Sequence, residues 1–290
     1  MRRRALALPA LGAALLLGSC ASSGEPDIAT LASSSDQIIW EAAEKAAGKK
    51  QWENARQHYR RIIDAFPNSE HGPGARLGLA DSYFEEGGTA NYILAVSAYR
   101  EFLTLFPSHP RADYAQFRVG ESFWRQRNGP DRDQTATLEA LHEFERLVER
   151  HPKSPHIEEG RQRLQACRQS LARAEFLVGY FYQRTREYCR AAISRYEGIL
   201  SEYPDYQGVD EVLFRIAECL SSEGRVPEAL PHLSRLIEQF PQSEFASSAK
   251  ELMTSLATAS PARPPAPTPT PTPGPTGATT PPVPQPQVSL

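Results

Sequence analysis

Apolar side chains recur along this chain at offsets of three and four residues, which places them on one stripe of a helix, and they nowhere alternate in the period of two that marks a strand. Five stretches share one skeleton: a small residue, a large apolar one four later, another three after that, then an aromatic–Pro pair. The copies are Ala55, Tyr59, Ile62, Phe66, Pro67; Ala95, Tyr99, Phe102, Phe106, Pro107; Ala140, Phe144, Leu147, His151, Pro152; Ala192, Tyr196, Ile199, Tyr203, Pro204; and Ala229, Leu233, Leu236, Phe240, Pro241. The third has His in the aromatic position and the fifth has Leu for the first ring. The proline ends each helix, because it lacks an N–H and restricts the residue before it.

A second motif precedes each copy, an apolar residue followed by a small one and usually an aromatic: Trp40…Ala43, Leu77…Ala80…Tyr83, Phe117…Gly120…Phe123, Phe176…Gly179…Tyr182 and Phe214…Ala217…Leu220. Each unit is therefore expected to be a helix pair whose small residues permit close packing. With helices of ~12–14 residues this is the ~34-residue tetratricopeptide pattern. Such a pair cannot bury its apolar face alone, so the units must stack. The fold class expected is all-α: an α-α superhelix of five tetratricopeptide-like helix pairs with a C-terminal capping helix.

The spacing from proline to the next small residue is 13 at 67–80, 107–120 and 204–217, but 27 between Pro152 and Gly179. The fourteen extra residues hold no Pro or Gly after Gly160, which predicts one long helix from His156 to about Arg184. Unit three is interrupted by Arg127-Asn128-Gly129-Pro130-Asp131-Arg132-Asp133, and Ser243 to Ala257 reads as the capping helix. The repeat domain is expected over 35–257.

The two ends differ in kind. Residues 1–19 read as a signal peptide, with Arg2, Arg3 and Arg4 ahead of the apolar stretch Ala5–Leu17. Leu17-Gly18-Ser19-Cys20 has small residues before a cysteine, as in a bacterial lipobox, so Cys20 is the expected lipidation site and residues 20–34 a flexible tether. Residue 21 is Ala rather than Asp, which favours the outer membrane, with the chain facing the periplasm. Over 258–290 the composition turns to Pro and Thr, with twelve of the 25 prolines in the last thirty residues. That composition predicts a disordered tail, either a solubilising segment or a spacer or peptide ligand touching the cell wall.

The chain of 290 residues is 40% hydrophobic and 23% charged, with net charge −3. Loss of residues 1–19 removes three Arg and no acids, giving −6, so a nucleic-acid partner is not expected. No apolar run beyond the N-terminus approaches the ~20 residues of a membrane span. The seven histidines do not fall in a metal-ligand spacing, and there is no Gly-rich phosphate loop after a strand. Neither an enzyme, a cofactor nor a metal is expected. Cys167, Cys189 and Cys219 leave two readings open: a Cys189–Cys219 pair across antiparallel helices, or three small core-facing thiols. In this repeat architecture the first helices line the concave side. Trp40, Phe84, Phe117, Trp124, Phe176, Tyr180 and Phe214 are the groove candidates there, suited to extended aromatic-rich segments, unless their rings fill the space between helices. Trp124 is expected to be exposed, because it follows the core-type Phe123.

A secreted, lipobox-bearing chain with five such units resembles the BamD-type outer-membrane protein assembly lipoproteins. The resemblance rests on the interruption Asp131-Arg132-Asp133-Gln134 and on the extended helix leading into Arg195-Tyr196-Glu197-Gly198 and Tyr203-Pro204-Asp205. It implies a non-catalytic scaffold of the machinery that inserts β-barrel proteins, with two macromolecular partners: the periplasmic domains of the barrel subunit and unfolded outer-membrane proteins. It also implies an acyl anchor in outer-membrane lipid. Arg195 and Glu197 are the partner-docking candidates, a guanidinium being suited to bidentate pairing with a carboxylate. The Pro/Thr tail departs from the family. Two other readings stay open: a periplasmic scaffold coordinating envelope constriction or cell-wall synthesis, and a lipoprotein partner of a cell-wall enzyme.

Overall fold

The computed structural model describes residues 35–259. The signal segment, Cys20, the tether and the Pro/Thr tail from residue 260 lie outside the described residues; residues 258 and 259, expected to open the tail, are the last of the capping helix. Within them the chain forms eleven helices and no strand: α1 Asp36–Gly48, α2 Trp52–Ala65, α3 Gly72–Glu86, α4 Thr89–Leu105, α5 Ala112–Gln126, α6 Thr135–Arg150, α7 Ile157–Arg184, α8 Cys189–Glu202, α9 Val209–Ser222, α10 Val226–Gln239 and α11 Ala246–Ala259. Every helix packs on the one before and the one after it, and α1 also touches α3. The long helix predicted from the proline spacing is α7, with 28 residues.

The repeat skeleton is the core. Ala55, Ile62, Ala95, Tyr99, Phe102, Ala140, Phe144, Leu147, Ala192, Tyr196, Ile199, Ala229, Leu233 and Leu236 have no exposed surface, and Tyr59 has almost none. The small residues of the preceding helices admit these rings. A Cβ built on Gly120 would lie 2.7 Å from Phe144, and one on Gly179 would lie 2.6 Å from Tyr196.

The X–Pro rule acts identically in all five units. Phe66, Phe106, His151, Tyr203 and Phe240 cap their helices with φ between −126° and −132° and ψ between 54° and 62°. Each residue has left the α region, as the following proline demands. The turns into the next unit are satisfied by a second repeated device. Ser69, Ser154 and Ser243 each accept, through Oγ, the amide of the residue two further on, at 3.0–3.1 Å. His109 does the same through Nδ1, 3.0 Å from the Arg111 amide.

These short turns alternate between two sides of the stack. One side holds the start of α1 beside the turn at 66–71, where Ser69 donates to Asp36 at 2.6 Å. The other holds the first-to-second-helix turns, where Arg56 at the start of α2 pairs with Glu86 at the end of α3 at 2.6 Å. On that second side Cys189 and Cys219 form a disulfide, with a Cα–Cα distance of 5.1 Å, joining the start of α8 to the end of α9. Of the two readings left open for the cysteines, pairing is the one realised. Cys167 is free and buried.

Candidate functional site

The first-helix aromatics are mostly packing residues. Phe84, Phe117, Phe176 and Phe214 are buried, not presented as open ring faces. The reason, for Phe84, Phe117 and Phe214, is a side chain lying over the ring from at or just before the first helix that follows in the stack. The Arg118 guanidinium lies 3.8 Å above Phe84, His156 stacks on Phe117 at 5.1 Å, and Phe245 stacks on Phe214 at 5.5 Å. Trp124, expected to be exposed, is half-buried beneath Arg127, whose guanidinium is 3.7 Å from the ring. Trp40 is half-buried too, stacked on His71 at 5.2 Å. Tyr180 alone among the candidates stands open, at 37% exposure.

The sharper site lies elsewhere. The loop between α5 and α6 faces the C-terminal half of α7 across a groove of 530 Å³, walled by Pro130, Leu177, Val178, Phe181 and Tyr182 and rimmed by Asp131, Arg132, Gln134 and Glu175. Leu177 and Tyr182 turn partly into the core beneath, while Val178 and Phe181 are 39% and 45% exposed. The loop that forms the other wall is held by its own polar atoms. Gln134 Nε2 donates to the Gly129 and Arg132 carbonyls at 2.7 and 3.0 Å, and Thr135 Oγ1 donates to Asp133 at 2.8 Å.

Arg195 reaches this rim. From α8 it donates to Glu175 on α7 at 2.9 Å, with both side chains partly exposed. Glu197 is exposed two residues on, and its charge works against the burial that lowers the pKa of His232 on α10. The two features on which the resemblance rests, the unit-three interruption and the long helix leading to Arg195, thus meet at one place. Sequence reasoning named Arg195 but missed Val178, Phe181 and Glu175. The signal was present: Ala174, Leu177, Val178 and Phe181 form a second apolar stripe on α7, beside the core stripe of Ala172, Phe176 and Gly179.

The groove offers shape, apolar surface and an ion pair. Its residues provide no nucleophile with an adjacent base. Among the described residues the free thiol is Cys167, which burial pushes up to about 12 and keeps protonated at neutral pH. Among the described residues no group of three or more His, Cys, Asp or Glu is placed to hold a metal ion.

A family model described as "Outer membrane lipoprotein" (YfiO) matches residues 32–225, and a tetratricopeptide repeat model matches 211–243, the α9–α10 pair. The outer membrane protein assembly factor BamD of Caulobacter vibrioides is 24% identical over 251 residues, covering 87% of this chain and 81% of that protein. The protein of the same name from Neisseria meningitidis serogroup A is 26% identical over 248 residues, covering 81% and 91%. Among solved structures, the "TPR2AB-domain:pHSP90-complex of yeast Sti1" is 14% identical, covers 77% of this chain and 83% of that chain, and superposes with a TM-score of 0.40. The family match spans more than half of the chain, from before α1 to the start of α10, and by it this protein belongs to the YfiO family of outer membrane lipoproteins.

Proposed function

We propose that this chain is a non-catalytic scaffold of outer-membrane β-barrel assembly, held to the membrane by lipid on Cys20 and facing the periplasm. In this reading the groove between the 127–134 loop and α7 seats a periplasmic domain of the barrel subunit. An apolar edge enters between Pro130 and Phe181, and a partner carboxylate exchanges with Glu175 for Arg195. Unfolded outer-membrane protein segments are taken along the first helices, where Trp40, Trp124 and Tyr180 keep ring surface available and the buried Phe84, Phe117 and Phe214 set the shape beneath. The observation that carries the reading is the meeting of the interruption, the long helix and Arg195 at one rimmed apolar groove, in a chain whose relatives are named for outer-membrane protein assembly.

The test is co-purification of the barrel subunit with the lipidated full chain. Arg195→Glu places two like charges at the rim and Phe181→Asp puts a charge in the groove. Each is expected to lower recovery of the barrel subunit at least several-fold while helicity is unchanged. Recovery equal to wild type with both variants contradicts the docking assignment.

A further inference from the structure

Two histidines depart from the repeat at positions where the fold does not ask for histidine. The helix-ending position is aromatic in four units and is His151 in the third, yet His151 adopts the same backbone angles as the rings. The turn position three later is serine in three units and His109 in the second, where Nδ1 accepts an amide as a serine oxygen does elsewhere. Both histidines line one cavity of 340 Å³ between the turns at 106–111 and 151–156, together with Arg150, Lys153, Ser154 and Asp113.

The charge pattern singles out the same place. The turns at 66–71, 203–208 and 240–245 each carry a carboxylate (Glu70, Asp205 and Glu244) and no Lys or Arg. Residues 150–156 carry Arg150, Lys153, His151 and His156 and no carboxylate. Among the described residues neither Arg150 nor Lys153 forms an ion pair, although arginines along the stack repeatedly do, as at Arg100–Glu143 and Arg163–Glu121. The one acid of the cavity, Asp113, accepts the Tyr114 amide at 2.8 Å. With Nδ1 accepting, the neutral His109 ring carries its proton on Nε2 and presents a donor.

We propose that this cavity is a phosphate-binding site, in which Arg150, Lys153, His109 and His151 donate to the oxygens of one phosphate group. A guanidinium fork, an ammonium and two imidazoles are the donor set such an anion takes. The phosphate can come from a lipid headgroup or from a soluble phosphate ester. The site lies on the side of the stack that holds the start of α1. Cys20 precedes Ser35 by fifteen residues, at most ~50 Å of extended chain, so an anchored molecule brings this side within reach of headgroups. The site itself does not depend on the barrel-assembly reading.

The test uses the full mature chain from residue 20 with Cys20→Ser, so that no acyl chain contributes. Inorganic phosphate is titrated while the imidazole resonances are followed by NMR, and flotation is measured with vesicles of phosphatidylethanolamine and phosphatidylglycerol. Saturable shifts at His109 and His151 are expected. The exposed double variant Arg150→Ala/Lys153→Ala should weaken binding at least about tenfold, the scale of lost charge-assisted hydrogen bonds. His109→Ser/His151→Phe, which restores the repeat's own residues, should weaken it with helicity intact. Flotation lost in Arg150→Ala/Lys153→Ala assigns the headgroup as source. Phosphate binding without any difference in flotation assigns a soluble ester. No saturable shift, or equal phosphate affinity in Arg150→Ala/Lys153→Ala, overturns the site.

Discussion

Glycine at 179 is required by the ring it faces. Tyr196 is fully buried, donates to Gln183 at 2.9 Å, and lies where a Cβ on residue 179 would be. The equivalent slot holds alanine in three other units, Ala43, Ala80 and Ala217, so the repeat tolerates a methyl group in general but not here. Gly179→Ala is expected to cost ~1–3 kcal/mol by overpacking, read as a lower denaturation midpoint; an unchanged midpoint would show that the ring has room to move. A buried charge gives a second test. Burial opposes the Glu143 carboxylate, but hydrogen bonds from Arg100, Gln116 and Arg146 outweigh it and hold its pKa below the usual glutamate value. A carboxylate with a depressed folded pKa contributes stability above its unfolded value of ~4.3 and loses it as pH falls through the folded value. The urea midpoint should therefore drop more steeply below pH ~4.3 in wild type than in Glu143→Gln; parallel curves would remove this contribution. These residue-scale features were only partly legible. The small-residue slots follow from spacing, but the partners of Glu143 come from three helices and required the packing to be seen.

At the scale of elements, helix order, helix ends and the long α7 were readable because each has a local cause: a 3.6-residue period, a proline at a fixed offset, and a run without breakers. The cap angles common to five units show how directly the X–Pro restriction acts. Two things were not readable. Cys189 and Cys219 sit thirty residues apart on helices whose mutual rotation sets whether the thiols meet, and only the packed structure brings their Cα atoms to 5.1 Å. The second apolar stripe of α7 was masked by the first, since a helix with two apolar faces reads as generally apolar. The disulfide ties the start of α8, the helix that carries Arg195, to α9. Closing a loop of this size is worth ~3–4 kcal/mol in the chain-entropy account. Cys189→Ser/Cys219→Ser, or wild type under reductant, should lose thermal stability together with no change in the helix content of the native state; identical melting with and without reductant would mean that the clasp contributes nothing.

For the whole molecule, the stack is a set of nearest-neighbour interfaces, so that one surface can be altered without dissolving the rest. The exposed Arg195–Glu175 pair should contribute at most ~1 kcal/mol to stability, which makes it suited to exchange with a partner rather than to holding α7 against α8. Membership of the outer membrane lipoprotein family was legible from the repeats together with the lipobox-like start, and the groove whose rim residue Glu175 pairs with Arg195 became visible only when the interruption and α7 were placed side by side. Site-specific photocrosslinking tests the docking claim most directly. A photoreactive residue at Phe181 or Val178 in the full lipidated chain should crosslink to a periplasmic domain of the barrel subunit, whereas one at the half-buried Gln57 on α2 should not. Crosslinks to that subunit from Gln57 with none from Phe181 or Val178 would contradict the account.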